Sequence, residues 1–155
     1  MKVWLAGLVL GTFVVSGCAD NEETQEPPVP SEGYSLLQIQ GADEDGHVGT
    51  DEFWHTEDEE TIAEIQDTLR SVPVVEADTE DLEPYTDQLG TQGHYYLVFA
   101  DDLAQETAYY TTMHEDGTFL FADPEIDDGE RFIYMSQPEH ADTYEQIIED
   151  LELSF

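Results

Sequence analysis

Apolar residues along the chain follow two different spacings, and each spacing predicts a different kind of element. Runs of strand length that are rich in apolar and aromatic residues occur at 34–40, 53–55, 95–100, 106–113, 118–121 and 131–135. Such runs favour β-strands. The Asp116-Gly117 dipeptide lies between two of them and is a strong hairpin signal. The pattern therefore predicts an antiparallel sheet, with 72–75 as a further short edge strand.

Two other segments carry apolar residues at helical spacing. The first stripe consists of Ile62, Ile65 and Leu69, and the second of Tyr144, Ile147, Ile148 and Leu151. Such stripes predict amphipathic helices that bury one side. Thr56 with Glu59 matches the capping box that starts a helix. Ser136 with Glu139 matches it a second time, and Pro73 is expected to end the first helix.

The order of these elements is strand, helix, a run of strands, and helix. The polar stretch 77–93 contains Pro84 and two glycines and is predicted to be a loop. Hairpin-linked strands with two separate helices are typical of the α+β class. We therefore predict an α+β fold, with an antiparallel sheet of about five to six strands and two helices packed on one face.

The N-terminus resembles a secretory signal. Lys2 precedes an apolar run at 3–15, and small residues follow before Cys18. Thirteen helical residues would span roughly 20 Å, short of the ~30 Å hydrocarbon core, which disfavours a permanent membrane helix. The residues Val15-Ser16-Gly17-Cys18 resemble the lipobox of bacterial lipoproteins, and Cys18 is the only cysteine. We predict that residues 1–17 are a lipoprotein signal peptide and that Cys18 is lipidated. An ordinary signal peptide with an incidental cysteine is the alternative.

The segment after Cys18 is acidic and rich in proline. Its only large aliphatic residue is Val29. Residues 18–33 are therefore expected to form a lipidated tether that buries no surface, and its prolines are expected to stiffen it. The remaining residues, 34–155, are expected to form a single α+β domain.

The charge balance is extreme. The chain has 38 acidic and 3 basic residues, for a formal net charge of −35. A nucleic-acid-binding surface and attraction to anionic lipid both require basic residues, so both are excluded, and the lipid alone is expected to hold the protein at a membrane. The acids are spread along the chain, which favours a solvated surface adapted to a salty or alkaline exterior. Binding of divalent or basic partners is the alternative.

One acidic loop resembles part of a calcium site. Asp43, Asp45 and Glu52 match the third, fifth and twelfth positions of an EF-hand loop, and Gly46 matches its glycine. Gly41 stands where the first aspartate ligand should be, which weakens the match. We therefore predict no cofactor, and keep a calcium-responsive surface protein using Asp43, Asp45 and Glu52 as the alternative function.

No catalytic motif is found in the sequence. The five histidines form no HExxH pair, although His94 and His114 could meet across neighbouring strands. There is no G-x-S-x-G and no glycine-rich phosphate loop, so an enzyme is not expected. Aromatic residues are concentrated between 95 and 134. One set of these must face the core. The other set is expected either to form an exposed sugar- or peptide-binding face or to be covered by the helices.

Several of these features together resemble a known group of proteins. They are the lipobox, the acidic tether, the segment 53–69, the paired strands around Tyr95 and Tyr109, and Tyr134-Met135-Ser136 before a last helix. The chain is in these respects similar to small lipoproteins of Gram-positive bacteria of the YhfM-like type, a resemblance that supplies no catalytic residues. We expect a monomeric, lipid-anchored binding module on the extracytoplasmic face of the cell membrane, whose partner is an envelope protein or a small ligand.

The net charge generates a first prediction. Because the acidic side chains repel one another, the melting temperature should rise with NaCl concentration up to about 1 M, where the Debye length is about 3 Å. Thermal unfolding followed by circular dichroism over a salt series measures this. A melting temperature that does not change with salt would contradict the salt-adaptation hypothesis.

Overall fold

The computed structural model describes residues 23–31, 33–42, 53–87, 91–101, 108–125 and 131–153. The strands are β1 (Leu36–Gln40), β2 (Phe53–Thr56), β3 (Val74–Glu76), β4 (His94–Ala100), β5 (Ala108–His114), β6 (Phe119–Ala122) and β7 (Phe132–Ser136). The helices are α1 (Glu59–Arg70), α2 (Thr79–Thr86) and α3 (Ala141–Asp150). The α+β class is confirmed. The described part of the chain has seven strands and three helices, against the five to six strands and two helices predicted, and the short edge strand expected at 72–75 is present as β3.

The seven strands form one antiparallel sheet in the order β2-β1-β4-β5-β6-β7-β3. Because neighbouring side chains on a strand alternate, the register divides the central residues between two faces. The face that we call the Leu97 face carries Leu37, Ile39, Leu97, Phe99, Tyr109, Met113, Phe119 and Phe121, all buried. The opposite face, called here the His94 face, carries His94, Tyr96, Val98, Tyr110, Thr112, His114 and Leu120.

Helices lie on both faces of the sheet, which the prediction of two helices on one face did not include, because α2 was not predicted. The ring of Tyr144 on α3 lies 5.9 Å from that of Tyr95, on the Leu97 face. The ring of Tyr85 on α2 lies 5.0 Å from that of His114, on the His94 face. The unpredicted helix therefore covers part of the second face.

The prediction that 77–93 is a loop is wrong for its first half, because α2 occupies Thr79–Thr86. Glu80 and Asp81 lie in its first turn, where the helix dipole favours negative charge, and Leu82 is buried. Pro84 lies inside the helix and removes one helical hydrogen bond. One buried leucine produces no periodic signal, which explains why the sequence pattern missed this helix.

Helix α1 begins at a different cap from the one predicted. Asp58 is the N-cap residue, and its carboxylate accepts hydrogen bonds from the backbone N–H and the hydroxyl of Thr61, at 2.9 and 2.7 Å. Thr56 instead ends β2, and its hydroxyl accepts from the N–H of Asp58 at 3.1 Å. The apolar stripe of α1 is buried as predicted.

Helix α3 also starts later than its predicted capping box. Ser136 is the last residue of β7, and its hydroxyl accepts a hydrogen bond from the N–H of Phe119 at 2.8 Å. His140 is the N-cap residue, and the start of α3 lies against the β5–β6 turn. Gly117 in that turn has φ +87°, and a Cβ there would lie 2.3 Å from the backbone nitrogen of Ala141. A glycine is therefore required both by the turn and by its contact with α3.

The proline-rich segment at 23–31 lies against the domain, so the prediction that it buries no surface is wrong. Gln25 forms a bridge with Val74 through two backbone hydrogen bonds of 2.8 and 2.9 Å. This bridge lies on the outer side of β3, which is an edge strand of the sheet. Val29 is 6% exposed and belongs to the main hydrophobic core. We call residues 23–31 the N-terminal segment.

Two side chains of α1 hold the N-terminal segment in place. The amide of Gln66 donates to the Pro30 carbonyl at 2.8 Å. The Arg70 guanidinium donates to the carbonyls of Val29 and Pro30 at 3.3 and 3.1 Å, and it forms an ion pair with Asp67. Because proline has no N–H, the backbone of Pro30 can bind α1 only through its carbonyl.

The packing of Val29 generates a second prediction. Val29→Ala removes the equivalent of two buried methylene groups and should lower the free energy of unfolding by about 1.6 kcal/mol. Chemical denaturation measures this, with Glu26→Gln as the control because Glu26 is exposed in the same segment. Equal stabilities for the two variants would show that the segment does not dock in solution.

Candidate functional site

Two histidines face each other across the neighbouring strands β4 and β5. His94 at the start of β4 lies directly opposite His114 at the end of β5. Their ring centroids are 4.3 Å apart, with an angle of 74° between the ring planes. The suggestion that these two residues could meet across neighbouring strands is therefore confirmed.

His114 is the buried member of the pair. It is 1% exposed, and its Nε2 lies 3.1 Å from the Thr112 hydroxyl oxygen. Its Nδ1 is buried and has no hydrogen-bond partner among the described residues. Burial, together with the neighbouring His94, lowers the pKa of His114 to about 3, and Asp116 opposes this only in part. The imidazole is therefore neutral near pH 7 and does not exchange protons with a ligand there.

His94 is half-buried and is oriented by Thr91. Its Nδ1 lies 2.5 Å from the Thr91 hydroxyl oxygen and 3.3 Å from the Thr91 carbonyl oxygen. Because a carbonyl oxygen can only accept, the tautomer with a proton on Nδ1 satisfies both contacts. In that tautomer Nε2 is a hydrogen-bond acceptor.

The histidine pair lies in the wall of a pocket with a volume of about 240 Å³. The pocket is lined by Tyr85, Gln92, His94, His114, Glu115 and Asp116. These residues come from α2, from the turn before β4 and the first residue of β4, and from the end of β5 and the turn that follows it. The site therefore exists only because α2 covers this corner of the His94 face.

Hydrogen bonds to its neighbours hold Asp116 and Tyr85 in position. One oxygen of Asp116 accepts from the N–H of Thr118 at 2.9 Å, as is common in tight turns. The Tyr85 hydroxyl donates to the other carboxylate oxygen at 3.4 Å and accepts from the Thr118 hydroxyl at 3.2 Å. This network connects α2 to the β5–β6 turn.

The carboxylate of Glu115 lies over Gly93. A Cβ at Gly93 would lie 2.4 Å from Glu115 Oε2, and Gly93 has φ +84°. Glycine therefore provides both the backbone conformation and the space that the carboxylate occupies. Glu115 and Asp116 are exposed at the rim, whereas His114 is buried in the wall.

None of the site residues predicted from sequence is among those that the structure describes. Cys18, Asp43, Asp45 and Glu52 lie outside the described residues, so lipidation and calcium binding there stay predictions. Within the described ranges, no group of three or more histidine, cysteine, aspartate or glutamate side chains could hold a metal ion. In the same ranges, no helix is both long and apolar enough to cross a membrane.

The aromatic residues fit neither of the two predicted arrangements completely. Phe99, Tyr109, Phe119 and Phe121 are buried on the Leu97 face. On the other face Tyr96 and Tyr110 are half-buried, with ring centroids 5.6 Å apart.

Sequence reasoning missed Tyr85, Gln92 and the rim acids as parts of one site. Tyr85 and Gln92 lay in the predicted loop, and the acids could not be distinguished among 38 acidic residues. The hairpin signal at Asp116-Gly117, next to a histidine that could pair with His94, was the one available indication. Comparison with protein-family models, with curated proteins and with solved structures finds no match for this chain.

The buried histidine generates a third prediction. Between pH 6.5 and about 3 the unfolded chain protonates His114 and the folded protein does not. Unfolding therefore takes up a proton, and stability falls as the pH decreases through this window, by at most about 1.4 kcal/mol per pH unit. In His114→Gln, whose amide can still reach Thr112, this contribution should be absent.

Chemical denaturation from pH 7 to pH 4 measures the effect as a smaller slope of unfolding free energy against pH in His114→Gln than in the wild type. The carboxylates contribute equally to the slope in both proteins, so their contribution cancels in the comparison. His55→Gln is the control, because His55 is exposed and should keep the wild-type slope. Equal slopes for His114→Gln and the wild type would show that His114 is not held neutral.

Proposed function

We propose that this protein is a lipid-anchored binding module on the extracytoplasmic face of a bacterial cell membrane, which takes up a small ligand in the pocket between α2 and the β4–β5 strands. The observation that carries the proposal is the pocket itself. It combines two exposed carboxylates at its rim with a buried imidazole nitrogen in its wall that has no partner among the described residues. Concave sites with a few fixed polar groups are typical of small-molecule binding.

The chemistry of the pocket supports binding rather than catalysis. A general acid or base works best when its pKa lies near the working pH, and burial keeps the pKa of His114 at about 3. Two other polar groups of the lining, those of Tyr85 and Asp116, are hydrogen-bonded to structural neighbours. A set of fixed acceptors can hold and orient a ligand without reacting with it.

The N-terminal segment supports a short connection to the membrane. Cys18 and the docked Gln25 are seven residues apart, which reach at most about 25 Å. This is shorter than the tether expected from composition, because residues from Gln25 onward belong to the folded body. Lipidation at Cys18 would therefore hold the domain close to the bilayer, while its negative charge would keep its surface from adhering to anionic headgroups.

The anchor generates a fourth prediction. Cys18→Ala should leave the protein unprocessed or release it from the membrane, because the acidic body has no attraction of its own for lipid. Fractionation of cells expressing the wild type and the variant measures this. Ser16→Ala is the control, since a small residue remains and Cys18 is kept. A Cys18→Ala protein that is processed and still bound to the membrane would contradict the proposal.

A further inference from the structure

We infer that the pocket binds the primary ammonium group of a small organic cation. The inference rests on the proposed function, because it names the class of ligand for the same pocket.

The site is negatively charged, so the positive charge that would neutralise it must come from the ligand. Of the six described residues that line the pocket, two are carboxylates, Glu115 and Asp116, and none is lysine or arginine. The whole chain has three basic residues, of which Arg70 holds the N-terminal segment and forms an ion pair with Asp67. An anionic ligand would meet two carboxylates with no basic group in the lining to offset them. A cation would neutralise them.

The polar groups of the pocket match the donors of a primary ammonium group. The carboxylates of Glu115 and Asp116 are acceptors, and His94 offers Nε2 as a third acceptor when Thr91 binds its Nδ1. An R–NH₃⁺ group carries three N–H donors and no acceptor. A quaternary ammonium group carries the same charge but has no N–H to donate, so the two kinds of cation can be distinguished.

His114 is a second observation that indicates a ligand, independent of the acidic rim. It lines the pocket, it is 1% exposed, and its Nδ1 has no partner among the described residues. When Nε2 donates to the Thr112 hydroxyl, Nδ1 is left as an acceptor. A buried polar atom without a hydrogen bond is destabilising, and an N–H donor from a ligand would supply the missing bond.

Aromatic rings favour an organic cation over a metal ion. Tyr85 and His94 both lie next to His114, at ring-centroid distances of 5.0 and 4.3 Å. Aromatic rings attract organic cations and provide surface for their carbon atoms. No group of three metal-ligating side chains is found in the ranges that the structure describes. A volume of about 240 Å³ suits a small molecule of a few carbon atoms.

The test is an NMR titration of the full-length protein in non-ionic detergent micelles, at constant ionic strength set with NaCl. The probes are propylammonium chloride, tetramethylammonium chloride, sodium propionate and 1-propanol. We expect saturable shifts with propylammonium only, at the amides of Gln92, Glu115 and Asp116 and at the ring of His94. Constant ionic strength removes the general screening that any salt exerts on an acidic protein.

Two double variants separate the site from diffuse attraction. In Glu115→Gln with Asp116→Asn the amides keep the shape of the side chains, and the amide oxygen introduced at position 116 can still accept from the N–H of Thr118. Propylammonium should bind this variant at least about tenfold more weakly, which corresponds to about 1.4 kcal/mol. Glu64→Gln with Glu145→Gln removes the same charge from exposed positions on α1 and α3 and should bind like the wild type.

Each other outcome overturns the inference in a distinguishable way. Equal affinity for tetramethylammonium would show that charge, and not N–H donation, is recognised. Saturable binding of propionate or propanol at these residues would overturn the ammonium class and leave the pocket as a binding site. Shifts that are linear with concentration and equal in both double variants would show diffuse attraction. No saturable shift with any probe would overturn the pocket as the binding site too, and the Cys18→Ala fractionation would still test the anchor separately.

Discussion

The antiparallel register between β4 and β5 is the constraint on which the rest of the structure depends. Seven consecutive residue pairs, from His94 with His114 to Ala100 with Ala108, fix it. Because side chains alternate along a strand, a slip of one residue would exchange the two faces. The observed register directs Leu97 and Phe99 into the main core and sets the two histidines together on the opposite face. The core that α3 covers and the pocket that α2 closes thus follow from the same set of hydrogen bonds.

The acidic composition limits what the interior can contain. Among the described residues, the buried polar side chains are amides, hydroxyls and one imidazole, and none is a carboxylate. With three basic residues in the chain, a buried acid could rarely be paired, and an unpaired buried charge is very costly. The acids therefore remain at the surface. The rim of the pocket is one place where two of them are held in defined positions, by a turn hydrogen bond at Asp116 and by the space above Gly93.

The N-terminal segment shows how a proline-rich sequence can become part of a folded body. Its only large aliphatic side chain, Val29, enters the core, and the carbonyls of Val29 and Pro30 accept hydrogen bonds from α1. Composition describes how such a segment behaves alone, where it cannot bury enough surface to order itself. It does not describe the edge strand and helix that receive it. One of the few basic residues of the chain is used for this attachment, and the connection to any anchor at Cys18 is shortened as a result.

The sequence by itself determined the α+β class, the six longer strands, and the helices α1 and α3, because their signals are local: apolar periodicity, aromatic runs and the Asp116-Gly117 turn. It also indicated that His94 and His114 could lie opposite each other on neighbouring strands. Only the tertiary structure decided the helix at Thr79–Thr86, the true starts of α1 and α3, the docking of Val29 and the pocket. Helix α2 has a single buried apolar residue and an internal proline, so it depends on contacts with the sheet rather than on its own propensity. The pocket joins residues 85 and 116, which only the folding of the sheet brings together.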